Sequence, residues 1–495
     1  MSAVSETPTP SVTHSTLFKA LRELLPAHAV LTEIEELRPF ECDGLSVYRC
    51  LPLVVVLPET IEQVQAIARF CNDMNFPLVA RGAGTGLSGG ALPVENGVLL
   101  GLGKFKQILH IDPLNALATV QPGVRNLAIS EAAAEHGLYY APDPSSQIAC
   151  TIGGNVAENS GGVHCLKYGL TVHNILQLKL VTIDGELLTI GAETLDAPGY
   201  DLLALLTGSE GMLGIIVEVT VKLLAKPERA QVMLAAFDDI VKAGEAVGAI
   251  IAAGIIPAGL EMMDSLAIQA AEDFAHAGYP RDAAAILLCE LDGGNAEVSE
   301  HIAMVRAVLK QSGATEVRTA VDEAERMRFW KGRKSAFPAV GRISPDYYCM
   351  DGTIPRRQLP YVLQQISNWS VEYQLPVANV FHAGDGNLHP LILFDANKEG
   401  ELARTEEFGR RILELCVYVG GTITGEHGVG MEKIDVMCSQ FPAKELIQFH
   451  AIKAAFDPKG LLNPGKAVPT LQRCAEFGAM RVHGGHLPHP ELERF

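Results

Sequence analysis

The chain has 495 residues of ordinary globular composition, which is too many for one hydrophobic core, so two or three domains are expected. Its net charge of −19, with no long basic stretch, argues against nucleic acid as a partner. An anionic ligand would need local arginines or a metal to hold it. The ten cysteines include no C-x-x-C pair, so they are expected as reduced thiols, and no iron–sulfur ligand set is present.

Met1 to His14 is polar and lacks the pattern of a signal peptide, so a cytoplasmic chain is expected. Residues 1–45 read as a helical lead-in to a first domain over 46–227. In it Leu51 to Leu57 is a compact apolar run, read as a buried strand. Ile61 to Cys71 follows with helical spacing of its apolar residues. Pro77–Ala80, Gly97–Leu102 and Ala116–Gln121 are strand-like, and Asn126–His136 is helical. Ile215–Leu224 alternates in β fashion until Pro227 breaks it.

The texture then changes over 228–415. Val232–Phe237, Ala284–Leu291 and Glu316–Ala320 predict strands; Ala243–Ala253, Asn295–Gln311 and Arg357–Glu372 predict helices. That pattern predicts an α+β unit with an antiparallel sheet. The longest apolar stretch, Ala246 to Leu260, is short and interrupted by Pro257, so it is not a membrane span. A segment over 416–470 and an extended tail over 471–495, bearing His483, His486 and His489, complete the chain.

Three glycine-rich runs fall in the first domain. Arg81-Gly82-Ala83-Gly84-Thr85-Gly86-Leu87-Ser88-Gly89-Gly90 follows a strand. Glycine permits close backbone approach, and successive N–H groups can form a nest for a phosphate-bearing ligand. Arg81, Thr85 and Ser88 add donors. The run is neither a good Rossmann fingerprint nor a Walker loop, and taken alone it also fits a plain turn. Loops at Thr151–Gly162, containing Gly153, Gly154, Asn155 and Gly161, and at Gly208–Gly214, containing Glu210, repeat the device. Three such loops suit one extended polar cofactor.

A second constellation lies nearer the C-terminus. Phe381-His382-Ala383-Gly384-Asp385-Gly386-Asn387-Leu388-His389-Pro390 carries two histidines, and Gly425-Glu426-His427-Gly428 adds a carboxylate and a third. Two histidines and a carboxylate are a common ligand set for a borderline metal. The alternative is a group of satisfied core or loop residues. Asp385 and Asn387 read as turn or outer residues. Trp330-Lys331-Gly332-Arg333-Lys334 offers cations for a carboxylate, or is a solvated basic helix face.

Together these motifs, with Tyr139 to Ser146 and the tail Pro490 to Phe495, resemble the FAD-linked oxidases of the vanillyl-alcohol-oxidase and p-cresol-methylhydroxylase superfamily. Within it the likeness is to the flavin-carrying subunits of bacterial glycolate oxidases and to D-lactate and D-2-hydroxyglutarate dehydrogenases. It implies a two-subdomain FAD-binding domain, an α+β cap with an antiparallel sheet, and a C-terminal segment returning to the flavin. FAD would be held by Arg81 to Gly86, Ser88, Pro142, Asp143, Thr151, Gly153, Gly154, Asn155, Gly161, Glu210, Gly214, Ile215 and Asn463. Thr85 stands where some members carry a flavin-linked histidine, so non-covalent FAD is expected. His382, His389 and Glu426 would hold a divalent metal, often zinc; His427 would act as base and Arg333 would bind substrate.

The resemblance also implies a second flavin-binding chain and an iron–sulfur chain as partners, with only peripheral membrane contact at the inner face of the cell membrane. Relatives that oxidise 2-hydroxyglutarate carry lysine and threonine at the positions of Cys349 and Phe337, so a small mono-acid is expected here, glycolate before D-lactate. Two other readings stay open: a flavin-bearing electron-relay subunit, and a sugar or aldonolactone oxidase, which would not need the metal cluster.

Overall fold

Hydrophobic strands of the first domain form two main sheets and a short two-stranded one, on which capped helices pack. The computed structural model describes residues 14–194 and 198–470; the histidine-bearing tail lies outside these. A four-stranded sheet runs in the order Val30–Leu31, Val54–Val56, Val98–Gly101, Leu78–Arg81, and its last three strands are parallel. Val54, Val55 and Val56 are fully buried, as expected for a parallel strand covered on both faces. The helix Ile61–Met74 packs on it through Val64, Ile67, Ala68 and Cys71, and starts at a Thr60–Gln63 capping box. The second sheet has five antiparallel strands, ordered Ile108–Asp112, Leu117–Val120, Ile215–Lys222, Ile175–Val181, Leu187–Gly191.

The second domain is built on seven antiparallel strands, from Glu316–Thr319 at one edge through Arg229–Phe237, Ala285–Gly293, Gly259–Asp264, Val377–Phe381 and Pro390–Phe394 to Asp346–Cys349. Helices cover both faces. Along Arg229–Phe237, Met233, Ala235 and Phe237 enter one core, while Val232, Leu234 and Ala236 enter the other. That is why this strand is apolar throughout and does not alternate. The apolar run from Ala246 to Leu260 is the end of the helix Ile240–Ala252, a turn, and the start of the strand Gly259–Asp264. Among the described residues no helix is long and apolar enough to cross a membrane.

The C-terminal segment returns to the first domain as an added edge: Leu78 N–H donates to Leu461 O at 2.8 Å and Asn463 N–H to Leu78 O at 2.9 Å.

One expectation is corrected. The run Thr151–Gly162 is not a loop throughout, because Ile152–Glu158 is a helix. Thr151 enters it in extended conformation, and Asn159 ends it in the left-handed region at φ 52°. Gly153 is required here because a methyl would meet Pro122 at 2.5 Å. Close packing against that proline outweighs the low helix propensity of the glycine pair. Among the described residues eight cysteines are free thiols.

Candidate active site

A cavity of about 340 Å³ lies between the two domains' chemistry-bearing segments. One wall is residues 82–87 with Thr151, Gly154 and Asn155; the other is Arg333, Phe337, His382, His389, Glu426 and His427. Ala83, Gly84, Thr85 and Gly86 face this cavity. Among the described residues no backbone carbonyl accepts from the N–H groups of Gly82 to Ser88. The run therefore presents donors to a ligand, as a phosphate nest does. A methyl on Gly82 would overlap the Thr151 hydroxyl, which is itself buried without a partner.

A smaller neighbouring cavity of about 70 Å³ is lined by Arg81, Gly82, Gly153, Gly154, Glu210 and Gly214 among others. The Arg81 guanidinium is spent on backbone, donating to the carbonyls of Phe40, Cys42 and Ala91. Ser88, Pro142, Asp143, Gly161, Ile215 and Asn463 line neither cavity. They lie just behind the walls. Pro142 O accepts from Asn126 Nδ2, which also bonds Asn155 Oδ1 at 3.0 Å. Asp143 pairs with His164 at 3.0 Å. Asn463 Nδ2 donates to Gly90 O at 2.9 Å and Glu210 O at 2.6 Å, and the Glu210 carboxylate accepts from the N–H groups of Val429 and Gly430. This stitching ties the C-terminal segment and the 425–430 loop to the glycine runs.

The ionisable wall is assembled from separate elements. His382 follows the strand Val377–Phe381 and bridges to Asn387 across a tight turn, in which Asp385 Oδ1 accepts the Asn387 N–H. His389 precedes the strand Pro390–Phe394. Nε2 of His382 and Nε2 of His389 each lie 3.1 Å from Glu426 Oε1. Nδ1 of His382 is 2.8 Å from Glu261, whose other oxygen meets Arg333 Nη2 at 2.7 Å. Burial opposes a charged His382, but Glu261 and Glu426 together hold its pKa well above the ordinary range. Nε2 of that ring, facing Glu426 Oε1, is the atom a cation would meet.

Burial, reinforced by His427 and His382, holds the His389 pKa well below the ordinary range. Its Nε2 is buried without a hydrogen bond although it faces Glu426. A lone pair opposed to a carboxylate oxygen at 3.1 Å is an arrangement that a metal ion relieves. Glu261 behind His382 is the usual outer carboxylate that fixes a ligand's tautomer. The residues present therefore fit a divalent metal.

His427 packs against His389 with ring centroids 4.8 Å apart. Burial lowers its pKa more than Asp351 and Glu426 raise it, which favours the neutral ring. Asp351 organises the loop beneath it. Its buried carboxylate accepts from the N–H groups of Gly425, Glu426 and His427, from the Thr424 hydroxyl at 2.7 Å and from Lys433 Nζ at 2.9 Å. Arg333 is 1% exposed, and its Nε has no partner. Phe337 borders the cavity edge-on to His389. Cys349 does not line it, and its thiol faces Met350 O.

Sequence reasoning missed Glu261, Asp351 and Lys433. Glu261 had a readable signal, an acidic residue inside the apolar strand Gly259–Asp264. Asp351 and Lys433 had none, because their role appears only on folding.

Residues 52–191 match the family model described as FAD binding domain, and residues 226–467 match the one described as FAD linked oxidases, C-terminal domain. The chain is 68% identical over 486 residues to glycolate oxidase subunit GlcD of Escherichia coli (strain K12), covering 98% of this chain and 97% of that protein. It is 40% identical to the Bacillus subtilis (strain 168) protein of the same name, over 86% of this chain and 91% of the relative. Among solved structures, p-cresol methylhydroxylase with substrate bound shares the fold at a TM-score of 0.79 and 20% identity, over 93% of this chain and 98% of that one. The chain therefore belongs to the FAD-linked oxidase family and is an FAD-binding oxidoreductase.

Proposed function

We propose that the chain oxidises a small 2-hydroxy acid, glycolate to glyoxylate, with FAD as the acceptor of the hydride. The observation that carries this reading is the convergence of His382 Nε2, His389 Nε2 and Glu426 Oε1 within 4.8 Å of one another in the cavity that the glycine runs also line. A 2-hydroxy acid offers a carboxylate and a hydroxyl, which suit Arg333 and a metal site side by side. The names of the relatives, glycolate oxidase subunits, agree with it.

Bound FAD would supply hydride acceptance at N5, and a divalent metal, zinc first, would lower the hydroxyl pKa. His382, His389 and Glu426 are the residues that would hold the metal. The protein's own part is positional and acid–base. Arg333, braced by Glu261 through Nη2, would orient the substrate carboxylate with its remaining donors. His427, neutral at rest, would take the hydroxyl proton. Asp351 and Lys433 would hold the 425–428 backbone that aims it. Phe337 brings an apolar face where a second carboxylate would otherwise be received, which supports a mono-acid. FAD would be held by hydrogen bonds, since Thr85 offers no imidazole for a covalent link.

The electrons would then pass to partner chains, a second flavin-binding subunit and an iron–sulfur subunit, at the inner face of the cell membrane. The word "subunit" in the relatives' names supports a hetero-complex. Anaerobic mixing of the purified chain with glycolate, D-lactate and D-2-hydroxyglutarate tests the substrate. Flavin bleaching fastest with glycolate is expected; bleaching by D-2-hydroxyglutarate and not by glycolate would contradict it.

A further inference from the structure

Glu158 ends the helix Ile152–Glu158 at a position no role above requires. Four residues border both the main and the smaller cavity, namely Gly82, Ala91, Gly154 and Glu158, and of these only Glu158 is ionisable. Its Oε2 is buried and finds no hydrogen-bond partner among the described residues. Leaving such a group unpaired is costly. The carboxyl is walled in by glycines: a methyl on Gly428 would overlap Oε2, and one on Gly90 would stand 2.6 Å from Oε1. Two different segments thus give up side chains to make room for it.

The charged neighbours are committed elsewhere. Glu210 accepts from Val429 and Gly430, Lys433 donates to Asp351, and Lys466 donates to Leu92 O and Asn463 Oδ1. Asp43 is a further buried carboxylate close enough to repel it.

We infer that Glu158 is a cofactor-contacting residue, whose carboxyl group donates a hydrogen bond to bound FAD at the junction of the two cavities. The electrostatics agree. Burial, with Glu210 and Asp43, raises its pKa well above the usual carboxylate range against the weaker pull of Lys433 and Lys466, which favours the protonated form that can donate. The inference rests on FAD binding and is independent of the substrate reading.

The test is titration of FAD into the full-length apoprotein, followed by flavin fluorescence and by the positions of the flavin absorption bands. Glu158→Leu removes the donor at similar volume and should weaken FAD binding about tenfold to a hundredfold, the worth of one buried hydrogen bond. Glu158→Gln keeps a donor and should bind within about threefold of wild type, with its bands nearly in place. If Glu158→Leu does not fold, Glu158→Ala is read in the same way. A donor-less variant that binds FAD as tightly as wild type with unshifted bands would overturn the inference. So would a Gln variant as weak as the donor-less one, since that would make the role one of shape or charge.

Discussion

On one side of the main cavity the chain offers backbone: N–H groups of residues 82–88 that meet no backbone carbonyl among the described residues, and glycines that let a ligand come close. On the other it offers ionisable side chains, with His382, His389, Glu426, His427 and Arg333 drawn from separate elements and braced by Glu261, Asp351 and Lys433. The two walls fail differently under mutation. A backbone site depends on local conformation and loses affinity gradually. A buried charge network depends on every member, because each carboxylate is neutralised by a particular partner.

The largest effect should come from splitting the Asp351–Lys433 pair, both of whose side chains are fully buried. Lys433→Met leaves the Asp351 carboxylate without its cation and should cost about 3–5 kcal/mol of stability, seen as a large fall in melting temperature. Adding Asp351→Asn should recover part of that loss; a double variant worse than the single would show that the pair is not the unit. Next, His427→Asn should slow flavin reduction by substrate about a hundredfold to ten-thousandfold while FAD stays bound. Unchanged reduction would favour the electron-relay reading.

The backbone wall should respond more mildly. Gly82→Ala pushes a methyl into the Thr151 hydroxyl and should weaken FAD binding by about tenfold, with flavin reduction at saturating FAD little changed. A collapse in melting temperature comparable to that of Lys433→Met would break the contrast.

A pH-dependent effect concerns the seam between the domains, where His164 sits between Asp143 at 3.0 Å and Glu290 at 3.4 Å. Burial opposes its charge, but the two carboxylates raise its pKa to about 10. A raised pKa contributes stability that is full below about 6.5 and is lost as pH rises toward about 10. The melting temperature of wild type should exceed that of His164→Gln below that window, and the gap should close across it. A gap independent of pH would show that the ion pair contributes nothing.

The same contrast explains what could be read before folding. The glycine runs and the two histidine segments are local motifs, so both walls were visible as candidates. The helix Asn295–Gln311 was legible end to end, between Gly294 and Gly313. The helix Ile152–Glu158 was not, since its glycine pair argues against helix until Pro122 packs on it. Glu261, Asp351 and Lys433 escaped for another reason. Their partners lie 121 residues away for Glu261 with His382, 75 for Asp351 with Glu426, and 82 for Lys433 with Asp351. No local pattern encodes a pairing at that distance. Of the two positions that bear on the expected mono-acid, Phe337 borders the cavity and Cys349 does not.

His382, His389 and Glu426 are proposed to hold a divalent metal that would make the hydroxyl proton available to His427. Single-turnover flavin reduction by glycolate, measured on the protein as purified, after strong chelation, and after zinc is restored, tests it most directly. The account predicts loss of reduction on chelation with FAD retained, recovery with zinc, and no recovery in His389→Asn. Reduction at the full rate in the chelated, metal-free protein would contradict it.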